Sequence, residues 1–476
     1  MSAEPAVSSF DDCSYPDPGD MLVVRGGTPL CGEIRVRGAK NLVSKAMVAA
    51  LLGSTPTTLY DVPAIRDVDV VTGLLRLHGV RVEPVGDGAL LLDPANVEAA
   101  DVEELNVHAG ASRIPILFCG PLLHRLGRAF IPDLGGCRIG DRPIDFLLEA
   151  LRLMGAVVDK TPAGLSITAP DGLHGTRLSL PYPSVGATEQ VLLSAVLADG
   201  ITELHNAAVE PEITDLIALL QKMGALITAH TDRLLRIEGV PELRGCAHRP
   251  LPDRLEAASW ACAALATRGD VLVRGARQAD LMTFLNVFRA VGGEFEVDDD
   301  PVDGGIRFWH PGGDLSAVAL ETDVHPGFMT DWQQPLVVAL TQARGLSIMH
   351  ETVYENRLGF TDALVAMGAT IQVYSACLGA TPCRFGHGGY RHSAVISGPS
   401  KLQGADLVIP DLRGGFSHFI AALAAEGSSR VFGVHLIDRG YEDFGAKLAA
   451  LGATVDGPAY DGVRLRLAGG PVEAAR

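Results

Sequence analysis

Cysteine is sparse and scattered in this sequence. Eight are spread over 476 residues, at Cys13, Cys31, Cys119, Cys137, Cys246, Cys262, Cys377 and Cys383, with no C-x-x-C pair. That argues against a disulfide framework and against a zinc site, and it points to a reducing cytosol. Cys377 and Cys383, in "CLGATPC", match no familiar ligand spacing, so no metal is expected. Positive charge is short as well: 39 Lys and Arg stand against 57 Asp and Glu, for a net charge of −18 and a pI of about 5.2. Such a surface disfavours nonspecific binding to nucleic acid or to an anionic membrane. No run of eighteen apolar residues exists, so no membrane-spanning helix is expected. The first residues lack a basic segment followed by an apolar one, which excludes a secretory signal. Residues 1–20 read as a disordered acidic tail, with order from about Met21. Walker and dinucleotide-binding signatures are missing too, so no cofactor is expected.

What is present is apolar and repetitive. At 47% hydrophobic content the chain can fill more than one core, and its length suggests two domains. Six times an apolar helical pattern stops at a glycine: "LLRLHGVRVE", "ALRLMGAVVD", "LLQKMGALIT", "VFRAVGGEFE", "ALVAMGATIQ" and "KLAALGATVD", at Gly79, Gly155, Gly224, Gly292, Gly368 and Gly452. A left-handed C-cap accounts for the glycine, and an alternating strand follows at once. Upstream of most copies lies an alanine-rich helix such as "SWACAALATRGDVLVRGA", apolar on most sides. Helices of that kind belong inside, between sheets. The pattern therefore predicts an α/β fold of six units, three per domain, with helices inside and sheets outside. Proline and charge interrupt it around 246–258, where the halves should meet.

Several residues stand out for chemistry. Cys137 lies in the glycine-rich stretch "DLGGCRIGDRP", a poor place to bury a thiol. Lys40 opens a helix in "GAKN", where a lysine opposes the helix dipole yet suits a phosphate. "SVGAT" places Ser184, Val185 and Gly186 at another helix start. Taken alone, Asp331 in "TDWQQP" reads as an N-cap. Arg142 and Arg413 taken alone read as solvated arginines.

Together the stretches "RVRGAKNLVSKAMVAALL", "GGCRIGDRPIDF", "YPSVGATEQ", "NAAVEPEITDL", "HPGFMTDWQQPL", "HETVYENRLGF", "IPDLRGGFSHFIAALAAEG" and "LIDRGYEDF" resemble the enolpyruvyl transferases, in their UDP-N-acetylglucosamine 1-carboxyvinyltransferase branch. The motifs run in order from about Met21 to about Arg466. The resemblance implies a two-domain inside-out α/β barrel. One domain would be residues 40–250, carrying the Cys137 loop. The other would be 21–39 plus 251–468, carrying Asp331 and Arg413, with the active site in the cleft between them.

The resemblance also implies the substrates, phosphoenolpyruvate and UDP-N-acetylglucosamine, and their contacts. Lys40, Asn41, Arg142 and Arg413 would hold phosphoenolpyruvate, the guanidinium forks suiting phosphate and carboxylate. Arg113, Arg142, Pro143, Ile144, Asp145, Phe146, Ser184, Val185, Gly186, Asp331 and Val353 would contact the nucleotide sugar. Asp331 would accept the proton of the sugar 3-hydroxyl. Arg357 would orient Asp331 or reach the phosphate. Cys137 would meet phosphoenolpyruvate as proton donor or transient nucleophile, and would be the residue that fosfomycin alkylates. The implied function is the first committed step of peptidoglycan precursor synthesis in the cytoplasm, with no cofactor or metal. Two other readings stay open: enolpyruvyl transfer to shikimate phosphate or another nucleotide, and an inactive relative that binds the nucleotide sugar. The second should have lost a chemical residue, yet Lys40, Cys137, Asp331 and Arg413 are all present.

Overall fold

The computed structural model describes residues 18–107, 112–135, 144–300, 302–380, 383–386 and 388–457. Pro18–Asp20 form a 3-10 turn before the first strand, and the Asp20 carboxylate accepts from the backbone N–H of His435 at 2.8 Å.

The fold is mixed α/β, and the described residues form six small sheets, one for each copy of the repeat. All six marker glycines have positive φ, from +76° at Gly79 to +111° at Gly224. Other residues reach that region only at a cost of roughly 1–2 kcal/mol, which is why glycine recurs there. After the first five glycines the chain turns into an edge strand that pairs antiparallel with the strand following it, as in Glu294–Asp298 against Gly305–Trp309, whereas the strand after Gly452 pairs with Met21–Arg25 from the start of the chain. A strand from before the glycine-capped helix of the same unit joins them, as Asp270–Arg274 joins Gly305–Trp309.

The alanine-rich helices lie inside, as their composition requires. Every residue of Arg254–Ala266 is buried, and nearly every residue of Thr330–Leu340 and Leu412–Ala424. Lys40–Ala49, Cys119–Leu126 and Val185–Ala195 play the same part in the first half. Small alanine side chains let these helices approach one another closely while the sheets cover them. Cys119 and Cys262 sit in this interior, fully buried.

Buried apolar side chains form two separate cores. One runs from Ala39 to Leu251; the other joins Leu22–Val36 to residues from Leu255 to Leu451. Each is closed by a strand from a distant part of the chain. Ala247–His248 pairs in parallel with Thr57–Leu59, and Cys31–Arg35 in parallel with Asp270–Arg274. The chain crosses between cores at residues 36–39 and 251–255, and the crossings hydrogen-bond to each other. Ala39 N–H donates to the Leu251 carbonyl at 2.8 Å, and Asp253 N–H to that of Arg37 at 2.8 Å. Gly38 lies at this double crossing, where a Cβ would stand 2.8 Å from the Asp61 carbonyl oxygen.

Candidate active site

The two cores face each other across a run of charged side chains, and most come from the starts of the buried helices. Lys40 is the first residue of its helix. Its ammonium lies 3.0 Å from the Asp67 carboxylate, whose other oxygen is 3.2 Å from Nε of Arg439. Burial alone would push the Asp67 carboxyl up, but Lys40 and Arg439 beside it prevail and hold it below the ordinary range. The backbone N–H of Lys40 donates to Asp253 at 3.1 Å, and Asp253 in turn caps the Arg254–Ala266 helix.

Two residues beyond Arg439, the Tyr441 hydroxyl accepts from Nη1 of Arg413 at 2.8 Å. Nε of Arg413 stands 3.8 Å from Asp331, and Arg357 pairs with the same carboxylate through its Nη2. Lys40, Asp67 and Arg439 therefore form one polar network and Tyr441, Arg413, Asp331 and Arg357 a second, with only Gly440 between Arg439 and Tyr441 in the chain. Arg357 and Arg413 are buried and Arg439 is half-buried; the Asp331 side chain keeps 18% exposure, enough to meet a ligand. Nη2 of Arg413 is buried and finds no hydrogen-bond partner among the described residues. An unmatched cation donor in a cleft invites an anion.

Asp331 is not the helix cap that "TDWQQP" suggests in isolation. Met329 holds that position and Asp331 lies in the first turn, where two guanidiniums rather than backbone N–H groups set its orientation. Pro335, four residues on, offers no N–H to the Asp331 carbonyl. Of the two roles open to Arg357, the geometry matches the orienting one.

Asn41 is half-buried beside Lys40. Ser184 caps the Val185–Ala195 helix, its hydroxyl accepting from Ala187 N–H at 3.4 Å. Gly186 borders open space: among the described residues nothing lies within 4 Å of where its Cβ would stand. Ile144 and Asp145 start the next helix, and the Phe146 ring meets Tyr182 edge-on at 5.5 Å. Val353 N–H donates to Glu351 at 2.6 Å. Arg113 is half-buried ahead of the 3-10 turn Ile114–Phe118. Cys137, Arg142 and Pro143 fall outside the described residues.

Several residues with evident roles were not singled out from sequence. Arg254 forms a two-pronged ion pair with Glu212, at 2.9 Å on both arms, and stacks over Trp332. It joins the two cores, and breaking such a buried pair costs about 3–5 kcal/mol. Glu351 is buried and accepts from Thr330 and from the N–H groups of Val353 and Tyr354, so it ties the Asp331 turn to the Val353 loop. The signal for these was an acid inside an apolar context, in "EPEITDL" and "IMHETVY". A groove of about 720 Å³ lies elsewhere, at the double crossing near Arg37 and Arg249. It contains none of the network residues.

The sequence reading assigned no metal ligands and singled out no cysteine–histidine cluster. His350, Cys377, Cys383 and His392 converge, with their ligand atoms within 4.8 Å of one another.

A family model described as EPSP synthase (3-phosphoshikimate 1-carboxyvinyltransferase) matches residues 24–448. A UDP-N-acetylglucosamine 1-carboxyvinyltransferase of Protochlamydia amoebophila is 46% identical over 92% of this chain and 94% of its own length. One from Gluconobacter oxydans is 40% identical over 92% of this chain and 99% of its own. Among solved structures, the enolpyruvyl transferase NikO from Streptomyces tendae superposes with a TM-score of 0.79 at 24% identity, covering 92% of this chain and 99% of that one. An EPSP synthase from Acinetobacter baumannii gives 0.70 at 17% identity over the same shares, a likeness of fold. Among the described residues no helix is long and apolar enough to cross a membrane.

Proposed function

The chain belongs to the enolpyruvyl transferase family, and on that premise we propose that it transfers the enolpyruvyl group of phosphoenolpyruvate to the 3-hydroxyl of UDP-N-acetylglucosamine, releasing phosphate. This is the first committed step of peptidoglycan precursor synthesis, in the cytoplasm. The choice of acceptor follows relatives at 40–46% identity that span nearly the whole chain.

The observation that carries the chemistry is Asp331, a partly exposed carboxylate held by Arg357 and faced by Arg413 at the junction of the cores. Asp331 takes the proton of the 3-hydroxyl. The oxygen attacks C2 of phosphoenolpyruvate while C3 gains a proton from Cys137, giving a tetrahedral ketal. Loss of phosphate together with return of a C3 proton to the Cys137 thiolate then leaves the enol ether, and Asp331 passes its proton to the released phosphate. Lys40, Arg142 and Arg413 surround the phosphate and carboxylate and stabilise charge as it moves onto the leaving group. The nucleotide lies toward Ser184–Gly186 and Phe146, the diphosphate near backbone N–H groups at the helix start.

Each core, with its sheets outside and helices within, reads as one inside-out α/β barrel, comprising 40–250 and 21–39 plus 251–468. The double crossing acts as a hinge, and closure over the nucleotide sugar expels water before chemistry.

Phosphate release from phosphoenolpyruvate tests the proposal. Release should require UDP-N-acetylglucosamine. Turnover with shikimate 3-phosphate in its place, or none with either, would reject the assigned acceptor.

A further inference from the structure

The segment 374–393, "YSACLGATPCRFGHGGYRHS", has no part in the chemistry above. It leaves the strand Thr370–Tyr374 and returns as Ser393–Gly398, which also pairs with Ala343–His350. This topology brings His350 and His392 together, with ring centroids 5.1 Å apart and both side chains fully buried. The segment folds Cys377 and Cys383 over them. The two Sγ atoms are 3.6 Å apart, and Cys377 Sγ is 3.4 Å from Nε2 of His392.

The hydrogen bonds fix both imidazole tautomers. The Ser393 hydroxyl gives its single proton to the Ala376 carbonyl at 2.8 Å, so at 2.8 Å from Nδ1 of His350 it can only accept. Nδ1 of His350 therefore carries the ring proton. Nδ1 of His392 faces the Tyr390 carbonyl at 2.6 Å and must also be the donor. Both Nε2 atoms are then left with bare lone pairs turned toward the sulfurs. That of His350 is buried with no hydrogen-bond partner among the described residues. Orientation of a histidine through its other nitrogen is the usual arrangement behind a metal ligand.

From this we infer that His350, Cys377, Cys383 and His392 form a tetrahedral zinc site that braces the 374–393 segment. Bonds of about 2.3 Å to sulfur and about 2.0–2.1 Å to nitrogen imply tetrahedral edges of about 3.8 Å between sulfurs and about 3.6 Å from sulfur to nitrogen. The observed 3.6 and 3.4 Å already approach them. Two sulfurs and two imidazoles are a donor set that selects zinc. On binding, each thiol loses its proton to solvent, and the two thiolates balance the dication. A Cys377–Cys383 disulfide would leave two buried lone pairs facing a group with no proton to offer. Glycine lines the site where the backbone comes closest: a Cβ at Gly379 would lie 2.3 Å from the His350 ring, and one at Gly386 3.1 Å from Cys377 Sγ.

The brace has a consequence at the cleft. Arg384, next to the ligand Cys383, donates to the Val353 carbonyl, and its guanidinium stacks 4.7 Å over Tyr182, a residue of the other core that touches Phe146. The site thus positions an arginine across the mouth of the cleft. This part rests on the nucleotide-binding role proposed above; the metal site does not.

The full chain, expressed with added zinc and dialysed, should retain one zinc per chain by mass spectrometry of the metal. Cys377→Ser and Cys383→Ser should lose it, whereas the exposed Cys31→Ser should keep it. If the ligand variants do not fold, cobalt in the wild-type chain should show thiolate charge-transfer and tetrahedral ligand-field absorption. A folded wild-type chain without zinc, a 377–383 disulfide in freshly reduced protein, zinc kept by both ligand variants, or an octahedral cobalt spectrum would overturn the site. Arg384→Ala should keep its zinc and raise KM for the nucleotide sugar several-fold with kcat little changed. An unchanged KM there would remove the cleft role and leave the metal site standing.

Discussion

The two halves of the chain repeat one plan, yet they begin their buried helices differently. In the first half, Lys40–Ala49, Cys119–Leu126 and Val185–Ala195 carry no acidic residue in the first turn. In the second half, Asp253 caps Arg254–Ala266, Asp411 caps Leu412–Ala424, and Asp331 lies in the first turn of Thr330–Leu340. A helix start concentrates partial positive charge from unpaired N–H groups. The second half neutralises that charge with its own aspartates and adds Arg254, Arg357 and Arg413 around them. The first half supplies no acid of its own: Ser184 caps one of its starts, and Asp253 of the second half accepts from the Lys40 N–H.

The comparison is broken most severely at Asp331. Asp331→Asn keeps the size and polarity of the side chain but cannot take a proton. Turnover should fall by about 10²–10⁴ while calorimetry still finds nucleotide-sugar binding. Near wild-type turnover would make Asp331 a purely structural partner of Arg357.

Cysteines offer a second contrast. Burial pushes the Cys119 and Cys262 thiols far above their ordinary range, so neither forms thiolate readily. Fosfomycin with nucleotide sugar should add one inhibitor mass to the Cys137 peptide and none to theirs. Cys137→Asp should resist the label yet stay active, because a carboxylic acid still donates a proton. Label on another cysteine would remove Cys137 from the mechanism.

The helix starts themselves can be made alike. Gly186→Asp would place a carboxylate where the first half has none, in open space and without a clash. A helix-end charge effect of about 1–2 kcal/mol predicts a KM for the nucleotide sugar raised roughly 5–30-fold at unchanged stability. An unchanged KM would mean that the diphosphate does not use this helix start.

The mildest test concerns Glu189, a buried carboxyl in the same helix as Gly186. Burial pushes it up to about 7 against the pull of Lys45, 3.5 Å away, and Glu212 and Glu210 add to the rise. Its folded value lies above the ordinary 4.5, so the protonated form favours folding. That contribution is complete below about pH 4.5 and is lost as pH rises through about 7. Glu189→Gln should match the wild-type melting temperature near pH 5 and exceed it by a few degrees at about pH 8. A difference independent of pH would contradict this.

Much of the architecture was legible before any coordinates. The six glycines were visible because a left-handed C-cap admits little else, and alanine on every face of Arg254–Ala266 requires burial on every side. These are local constraints, set within a few residues. The candidate site was legible only as motifs. Lys40, Asp331 and Arg413 each look ordinary in isolation, and no periodicity pairs Arg357 with Asp331 or Arg254 with Glu212.

The sequence by itself determined the repeat, the interior helices, the lack of a long apolar span and the residue types available for catalysis. Tertiary structure alone decided which charges meet. Asp67 is matched to both Lys40 and Arg439 because two distant segments arrive at one carboxylate. The Cys/His cluster is the clearest case. Three of its members lie in one segment at spacings that suggest nothing, and the fourth, His350, is the last residue of a strand. Strand register brings the two histidines side by side, and burial then leaves their bare nitrogens no solvent to turn to. Hydrophobic pattern acts between neighbours in sequence. Coordination and ion pairing act between neighbours in space, and only the folded chain defines those.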